Sequence, residues 1–119
     1  MDTRSHIIVN AEAQDTERSI CGFRQRLVRK EDEAPVSITR LRTENAQAHW
    51  HRHTHEYYYV LEGSGALLID DEEVPVKAGD CVWIRPGHVH RAIGTFEALI
   101  IGVPPFDYDD VIITPPPSS

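Results

Sequence analysis

Between residues 20 and 103 the chain is a succession of short apolar or alternating runs, each stopped by glycine, proline or an acidic pair. No segment carries the i, i+3, i+4 spacing of a long amphipathic helix. Candidate strands fall at 20–29, 36–43, 47–52, 56–62, 65–70, 74–76, 81–84, 88–93 and 96–103, several of them rich in β-branched or aromatic residues. Gly63-Ser64-Gly65 and Asp70-Asp71-Glu72 lie between apolar runs and predict tight hairpin reversals. Strands this short and this numerous bury their apolar faces in a sandwich or a closed barrel, and closure also removes unpaired edges. The expected fold class is all-β, a single jelly-roll barrel.

A chain of 119 residues supports one core, because a second would have too few residues to bury. Its 40% of hydrophobic residues is enough apolar surface to offset folding entropy. Residues 1–19 are polar and aperiodic and are expected to form a flexible arm; residues 20–110 form the barrel. Residues 111–119 end in Thr114-Pro115-Pro116-Pro117-Ser118-Ser119, which lacks backbone donors for a sheet and predicts an extended, mobile tail.

A formal net charge of −7 without a basic cluster argues against nucleic acid and anionic membrane as partners. No run of about 18 apolar residues and no leader-like start is present, so a cytoplasmic location is expected. Cys21 and Cys81 lack Cys-x-x-Cys spacing and read as buried free thiols rather than as a zinc or redox pair.

Four of the seven histidines stand in His49-Trp50-His51-Arg52-His53-Thr54-His55-Glu56. Residues two apart on a strand share a face, with Cα atoms about 6.5–7 Å apart, so His49 and His51 can aim at one point. Glu56 follows at a distance that lets a bend return its carboxylate, and His90 arrives from another hairpin after Pro86-Gly87. Three imidazoles and one carboxylate without a thiolate suit one divalent ion of iron, manganese, nickel, cobalt or zinc, with positions left for water or substrate. A second register, through His51, His53 and His55, is also spaced by two; it leaves Glu56 facing away, and His53 and His55 read better as residues of the bend.

These residues resemble those of the cupin superfamily. His49-x-His51-x4-Glu56-x6-Gly63 is similar to the first cupin motif, and Gly79-x7-Gly87-x2-His90 to the second, over roughly residues 21–110. Thr43, Arg85 and Gly94 depart from the usual Gly, Pro and Asn of those motifs, and none of them is a proposed ligand. The resemblance implies a double-stranded β-helix, a small-molecule substrate and, as is common among such cupins, a homodimer. It implies a metal-dependent enzyme acting on a small carbonyl, carboxylate or aromatic compound, as a dioxygenase, isomerase, cyclase or lyase, and the alternative is a non-catalytic ligand-binding module.

Tyr58, two residues after Glu56, should share the ligand face and is the candidate catalytic acid or base, although core packing is the simpler role. Trp50, Tyr57 and Tyr59 should point outward. Trp83 and Phe106 read as core or interface groups, with the lining of a pocket as the alternative for either. Arg40, Arg42 and Arg85 are the cations that could hold a carboxylate at the barrel mouth, with solvated surface as the simpler role, and His88 could contact the ligand His90.

Overall fold

A computed structural model describes residues 3–114 of the chain. Its strands are β1 (Glu17–Ser19), β2 (Gly22–Val28), β3 (Ser37–Thr43), β4 (His49–His51), β5 (His55–Ile69), β6 (Glu72–Lys77), β7 (Cys81–Ile84), β8 (His90–Ile93), β9 (Phe96–Val103) and β10 (Val111–Ile113). Single turns of 3-10 helix occur at Ala11–Ala13, Lys30–Asp32 and Tyr108–Asp110. No described helix is long and apolar enough to cross a membrane.

All pairings are antiparallel, in the order β1-β2-β3-β9-β5-β8-β4-β10, with β6 and β7 also paired to β5. The long strand β5 belongs to both faces of the barrel. Its residues 55–63 pair with β9 and β7, and its residues 64–69 pair with β6 and β8. The sheet so curled is the double-stranded β-helix, a jelly-roll barrel. The period-2 pattern sets what lies inside: Glu56, Tyr58 and Val60 are buried while Tyr57, Tyr59 and Leu61 turn outward. Leu41, Tyr58, Val60, Leu67, Val76, Ile84, Ala92, Phe96 and Ala98 form the core.

The expected hairpin at Gly63-Ser64-Gly65 does not form, and the strands expected at 56–62 and 65–70 are one. The glycines serve a strand that changes sheet. Gly63 sits at φ +84, next to a register shift between Val60 and Glu62, and at Gly65 a Cβ would lie 2.6 Å from the Ile93 carbonyl oxygen and 2.8 Å from Phe96. Asp70-Asp71 does form the expected reversal: both residues have positive φ, 50° and 80°, as a two-residue hairpin turn between β5 and β6 requires.

Both chain ends enter the sheet further than their composition suggests. Glu17–Ser19, read as part of the arm, pairs with β2. Val111–Ile113, read as tail, pairs along all of β4, which is otherwise a three-residue strand joined to β8 at His49 and His90 alone. Thr114 extends this pairing by donating to the Ala48 carbonyl at 2.9 Å. The edge of β4 needs a partner, and the apolar residues of β10 supply one. Residues 115–119 of the expected tail lie outside the described residues. Cys81, expected to be buried, is exposed, because it shares the outward face of β7 with Trp83; Cys21 is partly buried, and both thiols are free.

Candidate metal centre

Three strands bring four buried side chains together. His49 and His51 leave one face of β4 while Trp50 leaves the other, His90 stands opposite His49 across the β4–β8 pair, and Glu56 is the first inward residue of β5. His49, His51 and His90 are each 2% exposed and Glu56 is 6% exposed. Their nearest donor atoms all lie within 4.8 Å of one another, with Glu56 Oε1 at 2.7 Å from His51 Nε2, 2.8 Å from His90 Nε2 and 3.8 Å from His49 Nε2.

The second nitrogen of each imidazole is anchored to the backbone. His49 Nδ1 lies 3.0 Å from the Gln47 carbonyl oxygen, His51 Nδ1 3.2 Å from that of Asp110, and His90 Nδ1 2.9 Å from that of His88. A carbonyl can only accept, so the network assigns the proton to Nδ1 and leaves Nε2 as a bare lone pair. Three lone pairs then face one carboxylate, an arrangement that repels itself unless a cation stands among them. His51 Nε2, buried and without a hydrogen bond despite its approach to Glu56, is the clearest sign of this need. Three nitrogen donors and one oxygen donor fit a divalent ion. Burial raises the Glu56 carboxyl, and positive character at the three imidazoles, whether a proton or a cation on Nε2, outweighs it and holds the group well below its usual range, so the anion is the resident form.

The turn that aims the ligands is held by the far end of the chain. The Asp110 carboxylate accepts backbone N–H groups from Arg52, His53 and Thr54 at 2.9–3.1 Å, while its carbonyl takes His51 Nδ1. Gly87 N–H donates to the His51 carbonyl at 2.7 Å. Sequence reasoning passed over Asp110, since nothing local separates it from Asp107 and Asp109.

Histidines 53 and 55 of the second register lie outside this cluster. His53 is exposed, and His55 Nδ1 accepts from Trp83 Nε1 at 3.1 Å on the outer surface. His88 reaches the cluster through its backbone carbonyl alone; its exposed ring bonds Asp70. Arg40 pairs with Glu97 at 3.2 Å, Arg42 lies over Phe23, and Arg85 lies over Trp83. None of these three lines the main cavity.

That cavity, of about 490 Å³, opens inside the barrel in front of His49 and Glu56. Tyr58 lines it and is 2% exposed, with its ring edge-on to His90 at 6.3 Å. Burial, then the charge of Glu56, pushes the Tyr58 phenol well above its usual value, so it stands as a protonated donor. Phe106 packs edge-on to His51 at 5.8 Å and lines the cavity, as does Cys21, whose thiol burial pushes up to about 12. Such a thiol is no nucleophile near neutral pH.

A family model described as Cupin domain matches residues 41–101, just over half of the chain. An uncharacterised protein of Methanocaldococcus jannaschii is 36% identical over 69 residues, which are 55% of this chain and 55% of that protein, so the chain spans about half the length of this curated relative. Among solved structures, a protein from Planctomyces limnophilus superposes with a TM-score of 0.83 at 24% identity over 90% of this chain and 96% of its own. The Streptomyces nucleoside dehydratase Pac13 superposes with a TM-score of 0.82 at 18% identity over 92% of each chain. At these identities the two structures speak for the fold.

Proposed function

From the premise that this chain belongs to the cupin family, we propose that it binds one divalent metal ion through His49, His51, Glu56 and His90 and acts as a metal-dependent enzyme on a small carbonyl, carboxylate or aromatic compound. The observation that carries this reading is the set of imidazoles pinned at Nδ1, with their Nε2 atoms turned onto one buried carboxylate. A histidine on a solvated loop needs no such anchoring. When bound, the ion supplies Lewis-acid or, for iron, redox chemistry at a substrate oxygen.

The chain's own residues supply the rest. Apolar walls line most of the cavity, and the buried Tyr58 hydroxyl holds a proton that it can deliver to a substrate in front of His49 and Glu56. Cys21 beside it serves as packing. The dehydratase among the similar structures makes elimination one of the reactions to assay, beside oxygenation, isomerisation and cyclisation; likeness of fold does not choose among them. We infer further that the protein works in the cytoplasm as a homodimer.

The test is elemental analysis of folded protein. About one ion per chain is expected, with sharp loss in each of His49→Ala, His51→Ala and His90→Ala and little change in His53→Ala or His55→Ala. Equal losses in all five would return the second register, and no metal in any sample would remove the reading. A screen for oxygen uptake and for turnover of small organic acids then separates an enzyme from a binding module.

A further inference from the structure

Among the buried polar and charged side chains described, Arg24 is the one lysine or arginine, at 9% exposed. Burying a guanidinium is costly unless a counter-charge and hydrogen bonds compensate. Its compensation is incomplete. Nη2 donates to the Tyr108 hydroxyl at 2.6 Å, and the guanidinium carbon lies 5.9 Å from the ring centres of both Phe106 and Tyr108. Nε, on the same edge of the guanidinium as Nη2, is buried and has no hydrogen-bond partner. The carboxylate beside it, Glu17, stands 3.9 Å away and already receives Nε and Nη2 of Arg26 at 2.8 and 3.1 Å.

Arg24 and Tyr108 line the same cavity as His49, Glu56 and Tyr58, with Leu41, Ile100 and Val111 among its apolar walls. Arg18, the other cation of the lining, is largely exposed and faces Glu44 at 3.8 Å. A ligand that completes this cavity therefore carries an anionic group for Arg24, an apolar body, and a reacting end for the histidine cluster. We propose that the cavity takes a small organic monocarboxylate whose carboxylate is held by the Arg24 guanidinium with the Tyr108 hydroxyl beside it. For the ligand's far end this rests on the metal-centre reading above. One buried cation with Glu17 and Glu56 nearby matches a single negative charge, so the planar monoanion is favoured over a phosphate dianion. Arg26 on Glu17 shows a guanidinium–carboxylate pairing within this chain.

The test uses benzoate as the probe, benzyl alcohol as its neutral counterpart and phenyl phosphate as the dianion, titrated calorimetrically into zinc-loaded and chelator-treated protein. Benzoate should bind more tightly than either of the others. Arg24→Gln should weaken benzoate about tenfold or more and leave benzyl alcohol unmoved, with circular dichroism confirming the fold. Tyr108→Phe, at a residue 67% exposed and so tolerant of the change, should weaken benzoate several-fold and carries the test if Arg24→Gln does not fold. Unchanged benzoate affinity in the folded variants, or a preference for phenyl phosphate, overturns the inference. Benzoate that binds only zinc-loaded protein, and equally well in Arg24→Gln, puts the carboxylate on the ion and overturns the inference while the metal centre stands. Arg24-dependent binding in a protein that takes up no metal supports the anion site and sinks the metal centre instead.

Discussion

Glu56 brings the only negative charge to a point on which three imidazole lone pairs converge, and its replacement separates charge from shape. In Glu56→Gln the amide keeps the size of the side chain and gains an N–H that can satisfy one Nε2, so the cluster repels itself less when an ion is removed. The variant should fold, retain zinc, and lose iron or manganese together with any turnover those ions support, because hard ions depend more on the anionic oxygen. Chelation should lower the melting temperature of the wild type by more than that of Glu56→Gln, since the ion's stabilisation tracks its affinity. Unchanged metal selectivity in Glu56→Gln would move Glu56 out of the ligand set. Tyr58→Phe removes one hydroxyl beside this centre. It should leave metal content intact and slow a rate-limiting proton transfer by about a hundredfold, read in kcat; an unaltered kcat would return Tyr58 to the core.

The turn between β4 and β5 depends on an element that arrives almost sixty residues later, the 3-10 turn Tyr108–Asp110 followed by β10. Asp110→Ala would strand three backbone N–H groups that now share one carboxylate. The expected cost is about 3 kcal/mol, seen as a fall in melting temperature on the order of 10 °C, with metal affinity down by about tenfold as His51 loses its orientation. Calorimetry showing the variant as stable as the wild type would refute the clamp. What the sequence discloses at this scale follows from range. The i, i+2 histidines, the outward Tyr57 and Tyr59 and the Asp70-Asp71 reversal obey local rules of strand period and turn chemistry, and they are legible from the chain alone. Asp110 and Arg24 are not, because their meaning lies in partners 58 and 84 positions away, and one acidic or basic residue looks like another until the barrel closes. Gly63 and Gly65 misled for a related reason: a corner in a long strand and a hairpin turn both call for glycine, and only the contact with Ile93 and Phe96 tells them apart. Thr43, a departure from the family pattern, proves fully buried, with its hydroxyl bonded to the Gly94 carbonyl at 2.9 Å and to Phe96 N–H at 3.0 Å.

For the molecule as a whole, the two faces of β5 lead to different surfaces. Inward, Glu56 and Tyr58 line the cavity; outward, Tyr57 stacks on Trp83 at 5.7 Å, and Tyr59 and Leu61 continue the same face, each 43% exposed, beside Trp83 at 48%. Cys81 stands opposite Tyr59 in register and is exposed in the same patch. Aromatic surface of this kind on a small acidic protein is costly to hydrate, and it is the face that the proposed homodimer would cover. A second copy covering it would give a particle of about twice 13.5 kDa by light scattering, the mass of one chain being 13.5 kDa. Cys81 should then be alkylated more slowly as protein concentration rises. The double change Tyr59→Ser with Trp83→Ser should shift the protein to a single chain without reducing its metal content, because both side chains lie on the opposite face of the sheet from Glu56. A mass near that of one chain at every accessible concentration, with Cys81 equally reactive throughout, would leave this face free and remove the dimer.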